Sequence, residues 1–235
     1  MYLLVSLPLL LIQGSNPYAD LFEAAHVLLA VLCLFRLAES NAQTERGTWF
    51  TLAGFTLGLL LFTKNEASVL YSPILLLQLA WVLCAQRKNN PLQTKQIAKF
   101  LALAGFIAAP WLLFKWIHGL SFGNAKSITH LAVAFHPQVI DAIWFHLSHE
   151  PNWLLLPLVL PLTLLAAGKR AFRLPESVLT IFVLVAVTAQ FLIFLFTPLA
   201  TEAILQTGLS RGLLHIAPVA MLLVIVLIQK LWEER

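Results

Sequence analysis

The chain has 235 residues, 60% of them hydrophobic and only 11% charged, with a mean hydropathy of +0.84; soluble domains carry about a quarter charged residues, which excludes an ordinary water-soluble class. Its formal charge of +4 comes from 15 Lys and Arg against 11 Asp and Glu. In such a chain that balance is a topology signal, and no basic run with interleaved aromatics marks a nucleic-acid surface. The expectation is an all-α, polytopic integral membrane bundle forming one transmembrane domain over 1–235.

A span of the bilayer core takes about 20 mostly apolar residues. About eight apolar segments are read, near 1–13, 20–38, 48–63, 67–85, 99–118, 153–168, 177–198 and 212–232. The first lacks a basic leader and reads as the end of a membrane helix rather than a signal peptide. Cys33 and Cys84 lie in apolar runs without a zinc-like neighbour and behave as small hydrophobes.

The stretch Asn16-Pro-Tyr-Ala-Asp-Leu-Phe-Glu-Ala-Ala-His26 sets two acids and an imidazole at the mouth of the second segment. Pro17 suits a helix entry, and Asp20 and Glu23 suit its first turn. An acid at the membrane edge is costly unless it meets a cation, water or a partner, so its default reading is a functional site. Glu23-x-x-His26 has the spacing of a metal-ligand pair, but no second pair accompanies it, and a hydrogen-bonded imidazole is the commoner explanation.

Between the third and fourth segments, Phe-Thr-Lys64-Asn-Glu66-Ala is too short for a free loop. Lys64 and Glu66 are either an interfacial pair or a cation fixed where a phosphate docks. The long connection 119–152 holds His130, His136, His146 and His149, with His118 at its entrance. Within it, Pro137 to Ser148 predicts an amphipathic helix with Val139, Ile140, Ile143, Trp144 and Leu147 on one side, suited to the membrane interface. His146 and Glu150 are four residues apart, yet interfacial polar side chains explain the cluster better than a metal. Thr207-Gly-Leu-Ser-Arg211-Gly-Leu-Leu-His215 places an Arg at a helix entrance and a His one turn inside. Arg grips phosphate bidentately; a snorkelling anchor or a pair with Glu202 is the alternative.

With the segments alternating, one set of connections holds 11 of the 15 basic residues: Arg36, Arg46, Arg87, Lys88, Lys95, Lys99, Lys169, Arg170, Arg173, Lys230 and Arg235. The positive-inside rule makes that set cytoplasmic. Asp20, Lys64, Asn65, Glu66, the loop 119–152 and Arg211 then share the extracytoplasmic face, which points to one site.

Four stretches in order carry a resemblance: Asn16-Pro-Tyr-Ala-Asp-Leu, Leu52 to Glu66, Ala109-Pro-Trp and Ser210-Arg-Gly-Leu-Leu-His-Ile-Ala-Pro218. Together they are similar to the GT-C membrane glycosyltransferases, in the branch of the protein mannosyltransferases, the lipid A aminoarabinose transferases and the RgtA/B/C/D-like proteins. The resemblance implies transfer of a sugar, with inversion, from a polyprenyl-phosphate donor to a lipid, glycan or protein acceptor at the extracytoplasmic face of a bacterial inner membrane. It implies Asp20 as the catalytic acid position, with Tyr18, Glu23, Lys64, Glu66, Arg211 and His215 as substrate-binding positions. No cofactor is fixed, and a divalent metal is compatible. The family's large first loop with its principal acid has no counterpart, so the chain reads as the C-terminal part of a longer enzyme. The alternative is a non-catalytic membrane protein, such as a lipid-carrier transporter or flippase component, or an assembly subunit.

Overall fold

The computed structural model describes residues 7–9, 19–86, 93–120 and 133–233, and these are helical throughout, with no strand among them. In chain order the helices are α1 (Asp20–Glu39), α2 (Gln43–Thr63), a π-helical turn (Ala67–Tyr71) continuing into α3 (Ser72–Gln86), α4 (Thr94–Ile117), α5 (Gln138–Ser148), α6 (Leu156–Ala167), α7 (Glu176–Phe196), the short α8 (Ala200–Ile204) and α9 (Gly208–Glu233).

Five helices are long and apolar enough to cross a membrane: α1, the π turn with α3, α4, α7 and α9. The expectation of about eight apolar spans is therefore met only in part. The segment 1–13 lies mostly outside the described residues. The segment 48–63 is the apolar part of α2, which begins earlier, at Gln43, with a polar turn containing Glu45 and Arg46. The segment 153–168 contains only the 12-residue α6, about 18 Å long at 1.5 Å per residue, well short of a bilayer core.

Helix α9 is the most buried of the five and α4 the least. One hydrophobic cluster joins α1, α2, α3, α7 and α9 through residues such as Val31, Leu60, Phe182 and Leu223. A second lies towards the other face of α9 and includes Val139, Trp153, Phe194 and Leu209. Against it α5 packs Val139, Ile143 and Leu147, and it leaves Ile140, Trp144 and Phe145 exposed.

Small residues let α2 and α4 meet closely. A Cβ at Gly54 would stand 2.6 Å from the Phe100 carbonyl oxygen, and one at Gly58 would stand 2.9 Å from Ile107 Cβ. The two glycines are four residues apart, on one helix face, the spacing that brings membrane helices into backbone contact.

The open carbonyls ending α1 are closed from inside the bundle. Arg46 donates to Leu37 O at 3.2 Å, Gln86 donates to Ala38 O at 2.7 Å, and Arg46 also donates to Gln86 Oε1. A cation at a helix C-terminus is favoured by the helix dipole, and here it also satisfies acceptors that lack intrahelical donors. At the opposite end, the starts of α1 and α9 meet the ends of α2, α4 and α7, and that end carries the candidate site.

Candidate functional site

Asp20 opens α1 and is fully buried, an arrangement tolerated only with compensating charge. Lys64, the residue closing α2, places its ammonium 2.6 Å from Asp20 Oδ1. Arg211, one turn into α9, donates from Nε to Oδ2 at 2.8 Å and from Nη2 to Oδ1 at 3.3 Å. His215, one turn further, sets Nε2 3.1 Å from Oδ1. Both oxygens of Asp20 are thus engaged, by groups 44, 191 and 195 residues away.

Glu23 lies one turn below and is equally buried. Neither of its oxygens accepts a hydrogen bond. Its neighbours are ionic: Lys64 Nζ at 3.4 Å and His215 Nε2 at 3.5 Å. Glu66 completes the set from the outside, 62% exposed and 3.0 Å from Lys64. Burial alone would lower the Lys64 pKa, but the hydrogen bond to Asp20 and the charges of Glu66 and Glu23 outweigh it and hold the amine above the usual lysine range.

Beneath the ionic layer is a polar one. Tyr71, the last residue of the π turn, places its hydroxyl 3.2 Å from His215 Nδ1 and 3.2 Å from Gly212 O, and accepts from Gln190 Nε2 at 3.2 Å. A neutral His215 that donates from Nε2 to Asp20 must accept at Nδ1, which orients the Tyr71 hydroxyl. A π turn displaces side chains from α-helical register and recurs at functional sites; here it aims Tyr71 at α9. On the other side, Lys115 near the end of α4 donates to Asn65 Oδ1 at 2.5 Å, tying the turn between Lys64 and Glu66 to a fourth helix.

Six of the residues singled out in the sequence, Asp20, Glu23, Lys64, Glu66, Arg211 and His215, meet in this cluster. Tyr18 lies outside the described residues. His26 sits apart from the cluster's ionic contacts, with Nδ1 2.8 Å from Thr63 Oγ1, so Glu23 and His26 do not act as a ligand pair. Arg211 turns to Asp20. Asn65 was expected at this face, whereas Tyr71 and Gln190 were not anticipated. Gln190 had a legible signal, a lone amide within a highly apolar helix, whereas Tyr71 looks like any interfacial aromatic.

Asp20, Glu23 and His215 bring ligand-type atoms within 4.8 Å of one another. The Lys64 ammonium already stands among them, in contact with both carboxylates, so the centre of the group holds the chain's own cation and the arrangement is an ion-pair cluster. The His146 group is likewise closed. Trp153 Nε1 can only donate, and it lies 2.9 Å from His146 Nε2, which leaves the proton on Nδ1, 2.6 Å from Glu150. Burial pushes the His146 pKa down against the opposing pull of Glu150.

What the cluster offers to the outside is positive charge backed by buried acid. Arg211 is 36% and Lys64 17% exposed at the side chain, while Asp20 and Glu23 are sealed behind them. Comparison with known proteins returned no matching family model, no similar curated protein and no similar solved structure.

Proposed function

We propose that this end of the bundle binds the phosphate of a polyprenyl-phosphate sugar and that the protein transfers the sugar to a lipid, glycan or protein acceptor. The observation that carries the reading is the pair of partly exposed cations, Arg211 and Lys64, on a common buried carboxylate. Cationic donors gathered at one place stabilise the charge that develops on a departing phosphate. The resemblance of Asn16 to Asp20, Thr63 to Glu66 and Ser210 to Pro218 to the GT-C enzymes supplies the reaction.

In this scheme Asp20 is a positioning acid. With both oxygens engaged it holds Lys64 and Arg211 in place, and an acceptor hydroxyl first meets Glu66, the exposed carboxylate of the cluster, as general base. The side of action we assign is extracytoplasmic, in a bacterial inner membrane, since Arg36, Arg46, Lys95, Lys99, Lys169, Arg170, Arg173 and Lys230 collect at the other helix ends.

The test compares farnesyl phosphate with farnesol binding to the protein in nanodiscs. Farnesyl phosphate should bind the tighter, and Arg211→Ala should weaken it about tenfold to a hundredfold, the worth of a charged hydrogen bond, while farnesol is unaffected. Equal binding of the two ligands would sink the phosphate site. Binding without sugar release from a polyprenyl-phosphate sugar, in the presence of membrane acceptors, would favour a carrier of the lipid over a transferase.

A further inference from the structure

We infer that anion binding at Arg211 and Lys64 is coupled to uptake of one proton, and that Glu23 is the group that takes it. The inference rests on the phosphate-site reading above and adds a regulation of that site. Three carboxylates, Asp20, Glu23 and Glu66, face two permanent cations, Lys64 and Arg211. Counting these permanent charges alone, the cluster carries one negative charge in excess. An arriving phosphate raises that excess inside a bundle of apolar helices, where uncompensated charge is costly.

The geometry selects which acid yields. Asp20 keeps Arg211 and His215 even when Lys64 turns outward to the anion. Glu66 is exposed and solvated. Glu23 has neither support: it accepts no hydrogen bond, and among the described residues its only cationic neighbour besides the His215 ring is the same Lys64 ammonium, at 3.4 Å. When that ammonium swings to the phosphate, Glu23 becomes a buried carboxylate with no fixed cation, and such a group takes up a proton rather than remain charged.

Among the described residues, the charged and titratable groups facing it are Asp20 on its own helix, Lys64 and Glu66 from the turn after α2, Tyr71 from the π turn, and Arg211 and His215 from α9. Of these, Tyr71 bonds to His215 and Gly212, and the His215 Nε2 proton is held by Asp20. The balance is one anion and one proton bound together, the proton coming from the water that meets the partly exposed Lys64 and Arg211 side chains.

By linkage, an anion that brings a proton binds more tightly as pH falls, approaching tenfold per pH unit for one full proton. The probe is dibutyl phosphate, a phosphodiester monoanion that does not itself titrate near neutral pH. Calorimetry on the full chain in nanodiscs, in buffers of different ionisation enthalpy, counts protons per anion bound. Wild type should take up about one, and Glu23→Gln, neutral and of the same shape, should bind the anion with no uptake and a flat pH dependence. Binding by wild type without proton uptake, or unchanged uptake in Glu23→Gln, overturns the coupling and leaves the phosphate site standing. Absence of any binding overturns both. Uptake lost in His215→Gln but kept in Glu23→Gln moves the proton to the imidazole and overturns the assignment to Glu23.

Discussion

At the scale of single residues, Lys64 holds the site together, because its ammonium touches Asp20, Glu23 and Glu66 at once. Its pKa is raised in the folded protein. A cationic group with a raised folded pKa contributes stability that is complete below its unfolded value and is lost as pH climbs through the folded one. The stabilisation is thus present at neutral pH and disappears only above the ordinary lysine range. Melting of the detergent-solubilised protein should fall across that alkaline window in wild type, and Lys64→Met should start lower and lack that fall; equal alkaline slopes would show that Lys64 does not set them. Asp20→Asn strands Lys64 and Arg211 together and should cost about 3–5 kcal/mol, as breaking a buried pair does. The double variant Asp20→Asn with Lys64→Met should lose less than the two single changes combined, by melting or denaturant titration.

At the scale of elements, the α2–α4 contact is the tightest seam the glycines reveal. Gly54→Ala must push a methyl against the Phe100 backbone, which cannot yield as a flexible side chain would. A loss of about 1–3 kcal/mol is expected for such overpacking. Gly105→Ala, where a Cβ meets nothing within 4 Å, is the control and should be neutral or slightly stabilising; equal effects would show that the seam is not close-packed. The helix positions of the candidate acids were legible because Pro17, Asp20 and Glu23 combine an entry signal with first-turn acids, and because Ser210 to His215 puts polar groups on one face of an apolar helix. The π turn was not legible. Ala67 to Tyr71 has ordinary helical composition, and the wider turn follows from packing of Tyr71 against α9, not from local preference. The apolar run 153–168 forms a shorter helix than its length suggests, with Leu158, Leu162 and Leu165 exposed, because Gly168, with φ of +52°, ends the helix after 12 residues.

At the scale of the whole molecule, the charge pattern separates the two ends of the bundle, and the orientation drawn from it can be checked directly. Glu66→Cys should react with a membrane-impermeant maleimide from outside intact cells, and Lys169→Cys only after the cells are opened, in a background lacking Cys33 and Cys84. The reverse labelling would invert the topology. Convergence of Asp20, Lys64 and Arg211 was foreseeable from alternation of the segments, but their shared contacts were not, since no sequence spacing links residue 20 to residue 211. That separation bears on biogenesis. In order of synthesis, Asp20 and Glu23 on α1 precede Lys64, at the end of α2, and precede Arg211 and His215 on α9 by far more. The buried acids therefore depend on α9 for part of their compensation. A chain interrupted before Gly208 keeps its buried acids but lacks two of their partners, and it should turn over faster in a pulse-chase than one interrupted after Glu233, because uncompensated acids in an apolar bundle are costly.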